Sequence, residues 1–195
     1  MTIQEITHKK FAHVLKVVSS DSFLKMDALG GEIPFWIAPY DIEAHDQVEV
    51  EIRNLQTKLS NMGIQSELID LFELSCSIIE ANIGLEKMFE VEIRKDKERF
   101  KRALQSTVNI HDRLIPAIVE RLNTAGSKIL FIKGVSSVYP FIRSHTVLNN
   151  LQSAVKNVPT VMFFSGKYSG NALNLFGLMK DDNYYRAFNI DNQKI

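Results

Sequence analysis

An α/β fold with a mostly parallel central sheet flanked by helices is predicted by three observations. Short apolar runs bounded by Gly or Pro recur along the chain, stretches of helical periodicity separate them, and two further strand-like runs close the sequence. Strands alternating with helices imply parallel pairing with a right-handed crossover sense, and the two closing runs add a C-terminal antiparallel β-hairpin.

The first element is an amphipathic helix. Ile6, Phe11, Val14, Leu15 and Val18 fall mostly on one helical face, with lysines between them. Residues 19–29 change to turn-like residues, and Gly30-Gly31 interrupts any helix before the run Ile33-Pro34-Phe35-Trp36-Ile37-Ala38. That run reads as a buried strand with proline at its start, where a missing N–H does least harm. Val48, Ile52, Leu55, Leu59 and Met62 then step by four, three, four and three, and Gly63 provides a stop. A strand over Ile64 to Leu71 completes a βαβ unit.

Residues 72–125 show no strand pattern. Stretches such as EKMFEVEIRKDKERFKRAL carry opposite charges three and four apart, the signature of solvated helix faces. Pro116 predicts a new helix start or a kink. So long a helical stretch exceeds one crossover, and it is expected to be a helical insertion or subdomain within a single domain spanning 1–195. Beyond Gly126, KILFIKGV is a strand rich in β-branched and aromatic residues. A helix carrying VYPFIRSHTVLNNL follows, with Ser136 or Ser137 as cap, Pro140 in the first turn, and Phe141, Leu148, Leu151 and Val155 turned inward. Pro159 introduces the strand TVMFF. After the loop SGKYSGN, the runs ALNLFGLM and YYRAFNI, separated by KDDN, read as the hairpin.

The bulk numbers exclude several classes. A chain of 195 residues, 45% hydrophobic and 24% charged, can bury a core without metal or disulfide staples. Cys76 is the only cysteine, so an intramolecular disulfide and a Cys-based zinc site are both excluded; between Leu74 and Ile78 it reads as a small buried hydrophobe. No apolar run approaches a membrane span, and MTIQEITHKKF contains no apolar signal region, so a cytoplasmic protein without a membrane partner is expected. Net charge is zero, yet residues 126–195 hold eight Lys or Arg against three Asp and no Glu. That tilt gives one face a basic character, or else reflects glutamate used as a helix former in the first half.

Enzymatic motifs are absent. The only Gly-Lys pair, Gly166-Lys167, is followed by Tyr168, with Val161 where a phosphate loop needs glycine, and no GxGxxG occurs. His8, His13, His45, His111 and His145 lack the spacing of a helical zinc site, and no GxSxG elbow is present. No catalytic residue, metal ligand or cofactor is therefore assigned. Candidate binding residues cluster around the helix after the KILFIKGV strand, because open α/β sheets place ligand crevices beyond the carboxyl ends of their strands. They are Ser136, Ser137, Arg143, His145 and Asn149, with Lys167, Tyr185 and Arg186 from neighbouring segments. The helix N-terminus with Ser136 and Ser137 would suit an anion. A capped helix with exposed polar residues is the plain alternative. Phe163, Phe164, Tyr168, Phe176, Tyr184, Tyr185 and Phe188 form a dense aromatic group that serves either as core or as a stacking platform.

The segments GGEIPFWIAPYD, KILFIKGVSSVYPFIRSHTVLNNL, VPTVMFFSGKYSG and LFGLMKDDNYYRAFNI together resemble a family of domains of unknown function, the BrxB-type components of BREX bacteriophage-exclusion systems. The resemblance runs from about Phe11 to Ile190, and its strongest marks are FIRSHTVLNNL and DNYYRAF. It implies a role in antiviral defence beside the alkaline-phosphatase-like PglZ, a large ATPase and a methyltransferase, and it carries over no catalytic residues. The expected function is that of a small non-enzymatic adaptor that binds other BREX proteins, foremost PglZ, through a sheet edge, the hairpin or the FIRSHTVLNNL helix. One alternative is a nucleic-acid-binding module that engages DNA through Lys133, Arg143, Lys167 and Arg186. A weaker one is a cryptic hydrolase or nucleotide binder at Ser136, Ser137 and His145.

Overall fold

A computed structural model describes residues 1–26, 34–169, 172–181 and 186–193. Helix α1 (Ile3–Val18) opens on a capping box, in which the Thr2 hydroxyl accepts from the Glu5 N–H and the Glu5 carboxylate accepts from the Thr2 N–H. A short helix α2 (Asp21–Leu24) leads toward strand β1 (Phe35–Tyr40). A 3-10 turn over Ile42–Ala44 enters helix α3 (His45–Asn61), and strand β2 (Ser66–Asp70) follows. Helices α4 (Leu71–Asn82), α5 (Leu85–Arg94) and α6 (Lys97–Val108), a π-helical turn (Ile110–Leu114) and helix α7 (Ile115–Ala125) fill the interval before strand β3 (Ile129–Lys133). Pro116 lies in the first turn of α7, where its missing N–H is no loss. Helix α8 (Ser144–Ala154) and strands β4 (Thr160–Ser169), β5 (Ala172–Leu175), β6 (Met179–Asp181) and β7 (Phe188–Asn189) complete the chain.

The strands run in the order β2-β3-β4-β1-β7, every neighbouring pair parallel. Alternation of side chains across the pleat divides each strand between two cores. Trp36, Ala38, Ile129, Phe131, Val161 and Phe163 face α1 and α3, where Phe11, Val14, Val48, Ile52, Leu55 and Leu59 cover them. Phe35, Ile37, Leu130, Ile132, Met162 and Phe164 face α4, α7 and α8. The direction of the connections explains the division. From β1 the chain crosses to the far edge at β2 through α3, then returns through β3 to β4 on the other face, as a fixed right-handed crossover sense requires when direction reverses.

Two details depart from the sequence expectation. The antiparallel hairpin is present, but its turn is Phe176-Gly177-Leu178, where Phe176 and Gly177 adopt positive φ, and its strands are β5 and β6. Phe188 and Asn189 instead pair in parallel with β1, and Phe188 packs on Trp36 with ring centroids 5.9 Å apart. The helix containing SHTVLNNL starts at Ser144. Pro140 and both serines at 136 and 137 precede it, because Gly134 (φ +77°) starts a series of turns that delays helix formation. Phe163, Phe164 and Tyr168 of the aromatic group are buried, and the Tyr168 hydroxyl donates to the Ala187 carbonyl at 2.6 Å.

Gly166 marks the point where β4 leaves the parallel sheet and begins to pair with β5. A Cβ there would stand 2.1 Å from the Asn174 carbonyl oxygen, on backbone at φ +150°. Gly166→Ala is expected to cost more than about 2 kcal/mol in urea unfolding, whereas Gly177→Ala, with open space around it, costs about 1 kcal/mol from φ alone.

Candidate functional site

The carboxyl ends of the parallel strands bring together polar groups that lie far apart in the chain. Lys133 ends β3, and its Nζ donates to Glu49 Oε2 of α3 at 2.5 Å and stands 3.2 Å from Asp70 Oδ2 at the end of β2. Asp70 also caps α4, its Oδ1 accepting from the N–H groups of Phe72 (2.9 Å) and Glu73 (3.3 Å). The adjacent Gly134 makes this approach possible, since a Cβ there would meet Asp70 Oδ1 at 2.6 Å. Burial alone would weaken the lysine's charge, but the hydrogen bonds and charges of Glu49 and Asp70 outweigh it and push the Lys133 pKa up.

Beside this cluster, the Tyr40 hydroxyl at the end of β1 lies 3.2 Å from His45 Nδ1. Its pKa is pushed up to about 12, first by burial and further by the charges of Glu49 and Asp70, with the Ser165 hydroxyl opposing. Ser165 is the parallel neighbour of Tyr40 in register and is only 1% exposed. It lies close enough to influence the phenol, yet its Oγ makes no well-formed hydrogen bond among the described residues. Sequence reasoning missed Tyr40, His45, Glu49, Asp70 and Ser165; their one legible signal is that Tyr40 and Asp70 each close a strand-like run.

The residues singled out from sequence are arranged differently from expectation. Ser136 and Ser137 stand in the turns between β3 and α8, with Ser137 N–H bonded to the Gly134 carbonyl, so neither caps a helix. Arg143 holds the N-cap position of α8 without a side-chain capping bond; it and His145 both interact within the chain. Asn149 is exposed on α8, Lys167 is exposed on β4, and Arg186 is exposed while its carbonyl accepts from Gln152 Nε2 at 2.8 Å. Tyr185 lies outside the described residues. Of the proposed basic set, Lys133 is committed to its two carboxylates.

Next to Arg143 and Ser144 the structure has a crevice of about 70 Å³, walled by Val135, Ile142, Phe164 and the hairpin residues Leu173 and Leu175. That is far below the roughly 300–1,000 Å³ of sites for drug-sized ligands. At its rim, Tyr139 and Met179 are exposed, and the neighbouring Leu178 at the hairpin turn is 86% exposed. Among the described residues no group of three or more His, Cys, Asp or Glu is arranged to hold a metal ion. Burial, followed by the charges of Asp70 and Glu73, pushes the Cys76 thiol up and away from thiolate chemistry. No helix among the described residues is long and apolar enough to cross a membrane.

Comparison with known proteins gives a consistent answer. The family model described as BREX protein BrxB matches residues 67–190. A BREX protein BrxB of Bacillus cereus (strain H3081.97) is 38% identical over 188 residues, covering 94% of this chain and 96% of the relative. A BREX protein BrxB of Escherichia coli O9:H4 (strain HS) is 24% identical over 188 residues, covering 96% and 93% respectively.

Two predictions follow from the strand-end cluster. Lys133→Met leaves two partly buried carboxylates without their cation and is expected to cost about 2 kcal/mol in urea unfolding, with about 1 kcal/mol returned by adding Glu49→Gln. At alkaline pH, the folded protein holds the Tyr40 proton until about 12, while an unfolded tyrosine releases it near 10. The folded state then binds more protons, so stability falls as pH rises through that window. Tyr40→Phe should flatten this limb in pH-dependent urea titrations.

Proposed function

Since the chain belongs to the BrxB family of BREX proteins, we propose that it acts by binding rather than by catalysis, as an adaptor that docks on another BREX protein, PglZ, through the hairpin and the turns before α8. The observation that carries this reading is that exposed Met179 and Tyr139 meet at the crevice beside Arg143, with exposed Leu178 next in the chain at the hairpin turn. A single exposed apolar side chain is ordinary, but Tyr, Met and Arg are the residue types enriched where proteins meet. A leucine at a hairpin tip can enter a partner's pocket.

The chemistry of the strand ends supports a binding role in a second way. The Lys133 charge is neutralised locally, and the crevice beside Arg143 is small. The nucleic-acid reading loses Lys133 to its ion pairs and Phe163, Phe164 and Tyr168 to the core, so no particular observation favours it.

Size-exclusion chromatography with light scattering, on the chain alone and mixed with its cognate PglZ, tests the proposal. A stable co-eluting complex is expected, weakened by about tenfold or more on Leu178→Asp. Leu178 is exposed, so the variant should keep the wild-type melting curve. Separate elution of the wild-type pair at micromolar concentration, or an unaltered complex with the variant, would overturn the proposal.

A further inference from the structure

A second surface, on the opposite face of the sheet, has the properties of a peptide groove. The buried seam of α1 runs through Thr7, Phe11, Val14 and Val18, at helical spacings of four, three and four. Ile3 continues that seam by one turn, and Ile6 lies beside it, yet they are 52% and 53% exposed. The apolar stripe of the helix therefore extends past the core it covers.

Across from this overhang stand Pro39 and Tyr40 at the end of β1 and Ala44 and Val48 at the start of α3. Between the two walls is an open groove of about 410 Å³, within the range of ligand sites and located at the carboxyl end of a parallel strand. The α1 residues that line it, Ile3, Ile6, Thr7 and Lys10, occupy positions i, i+3, i+4 and i+7, one continuous helix face about 10 Å long. An extended or helical segment fits an open trough of that length better than a compact small molecule does.

The charges select the occupant. Lys10 is the groove's one lysine or arginine among the described lining residues, and both oxygens of Asp191 hold it, at 2.7 and 2.5 Å. Asp41 and Glu43 on the opposite rim are exposed and have no ion pair among the described residues; Asp41 caps the turn that follows it with no side-chain bond. An apolar floor with an acidic rim calls for an apolar side chain flanked by Lys or Arg. We propose that the groove between α1 and the β1–α3 connection binds a cationic, amphipathic peptide segment of a partner protein. This site is separate from the hairpin surface and independent of PglZ binding there.

Fluorescence polarisation with two labelled model peptides of about 14 residues tests this, one of leucine and lysine and one of leucine and glutamate in the same pattern. At about 150 mM salt the leucine–lysine peptide should bind the full chain at least about tenfold tighter than its acidic twin. Ile6→Asp should weaken it about tenfold, Asp41→Lys with Glu43→Lys should abolish the preference for the basic peptide, and Ile93→Asp, an exposed position on α5, should change nothing. Thermal melts of the variants check that all remain folded. Equal affinity for the two peptides, or an unchanged Ile6→Asp, would overturn the proposal. A dimer by light scattering that Ile6→Asp dissociates would also overturn it, assigning the groove to a second copy of the chain.

Discussion

Burial of the sheet on both faces is the constraint on which the rest of the structure depends. Along β4, consecutive residues Val161, Met162, Phe163 and Phe164 are all buried, alternating between the core under α1 and α3 and the core under α4, α7 and α8. A parallel sheet cannot leave either face wet, because each strand is apolar on both sides. Helices must then come from both sides, and the reversal of chain direction after β2 supplies them. Parallel pairing places the ends of β1, β2, β3 and β4 at one edge, where the ion cluster lies.

That edge is organised by one ion cluster. Lys133, Glu49 and Asp70 join α3, β2 and β3, and Asp70 additionally holds the first turn of α4. Partly buried charges are costly unless they are paired and hydrogen-bonded, and here each carboxylate answers the same ammonium. The cluster sits where β3 ends and the turns toward Tyr139 and Arg143 begin. Tyr40 and Ser165 extend this framework toward β1 and β4.

Much of the fold was legible because its signals are local. The apolar runs became β1, β2, β3 and β4; the stepping of Val48, Ile52, Leu55 and Leu59 became α3; and the interval from 72 to 125 proved helical. The two misjudged features were decided by backbone rather than by composition. KDDN reads as a turn by residue type, but the hairpin turns at Phe176 and Gly177, where positive φ sharpens the reversal. Pro140 suggests a first helical turn, but the turns begun at Gly134 hold the chain until Ser144. The strand-end cluster was not legible because Glu49, Asp70 and Lys133 come from three segments, α3, β2 and β3, that meet only in the folded chain; no spacing rule links Glu49 to Lys133. The exposure of Ile3, Ile6 and Leu178 was not legible for a different reason: Ile6 reads as part of the apolar face of α1, and periodicity does not say how far the core beneath a face extends.

The central claim is that the carboxyl edge of the sheet, through the hairpin and the turns after β3, is a surface made for a protein partner. Hydrogen–deuterium exchange of the chain with and without PglZ tests it most directly. The account predicts slowed exchange on complex formation in residues 134–143 and 172–179, with the outer faces of α5 and α6 unchanged. Slowed exchange confined to α4–α6, with those two segments unaltered, would contradict it.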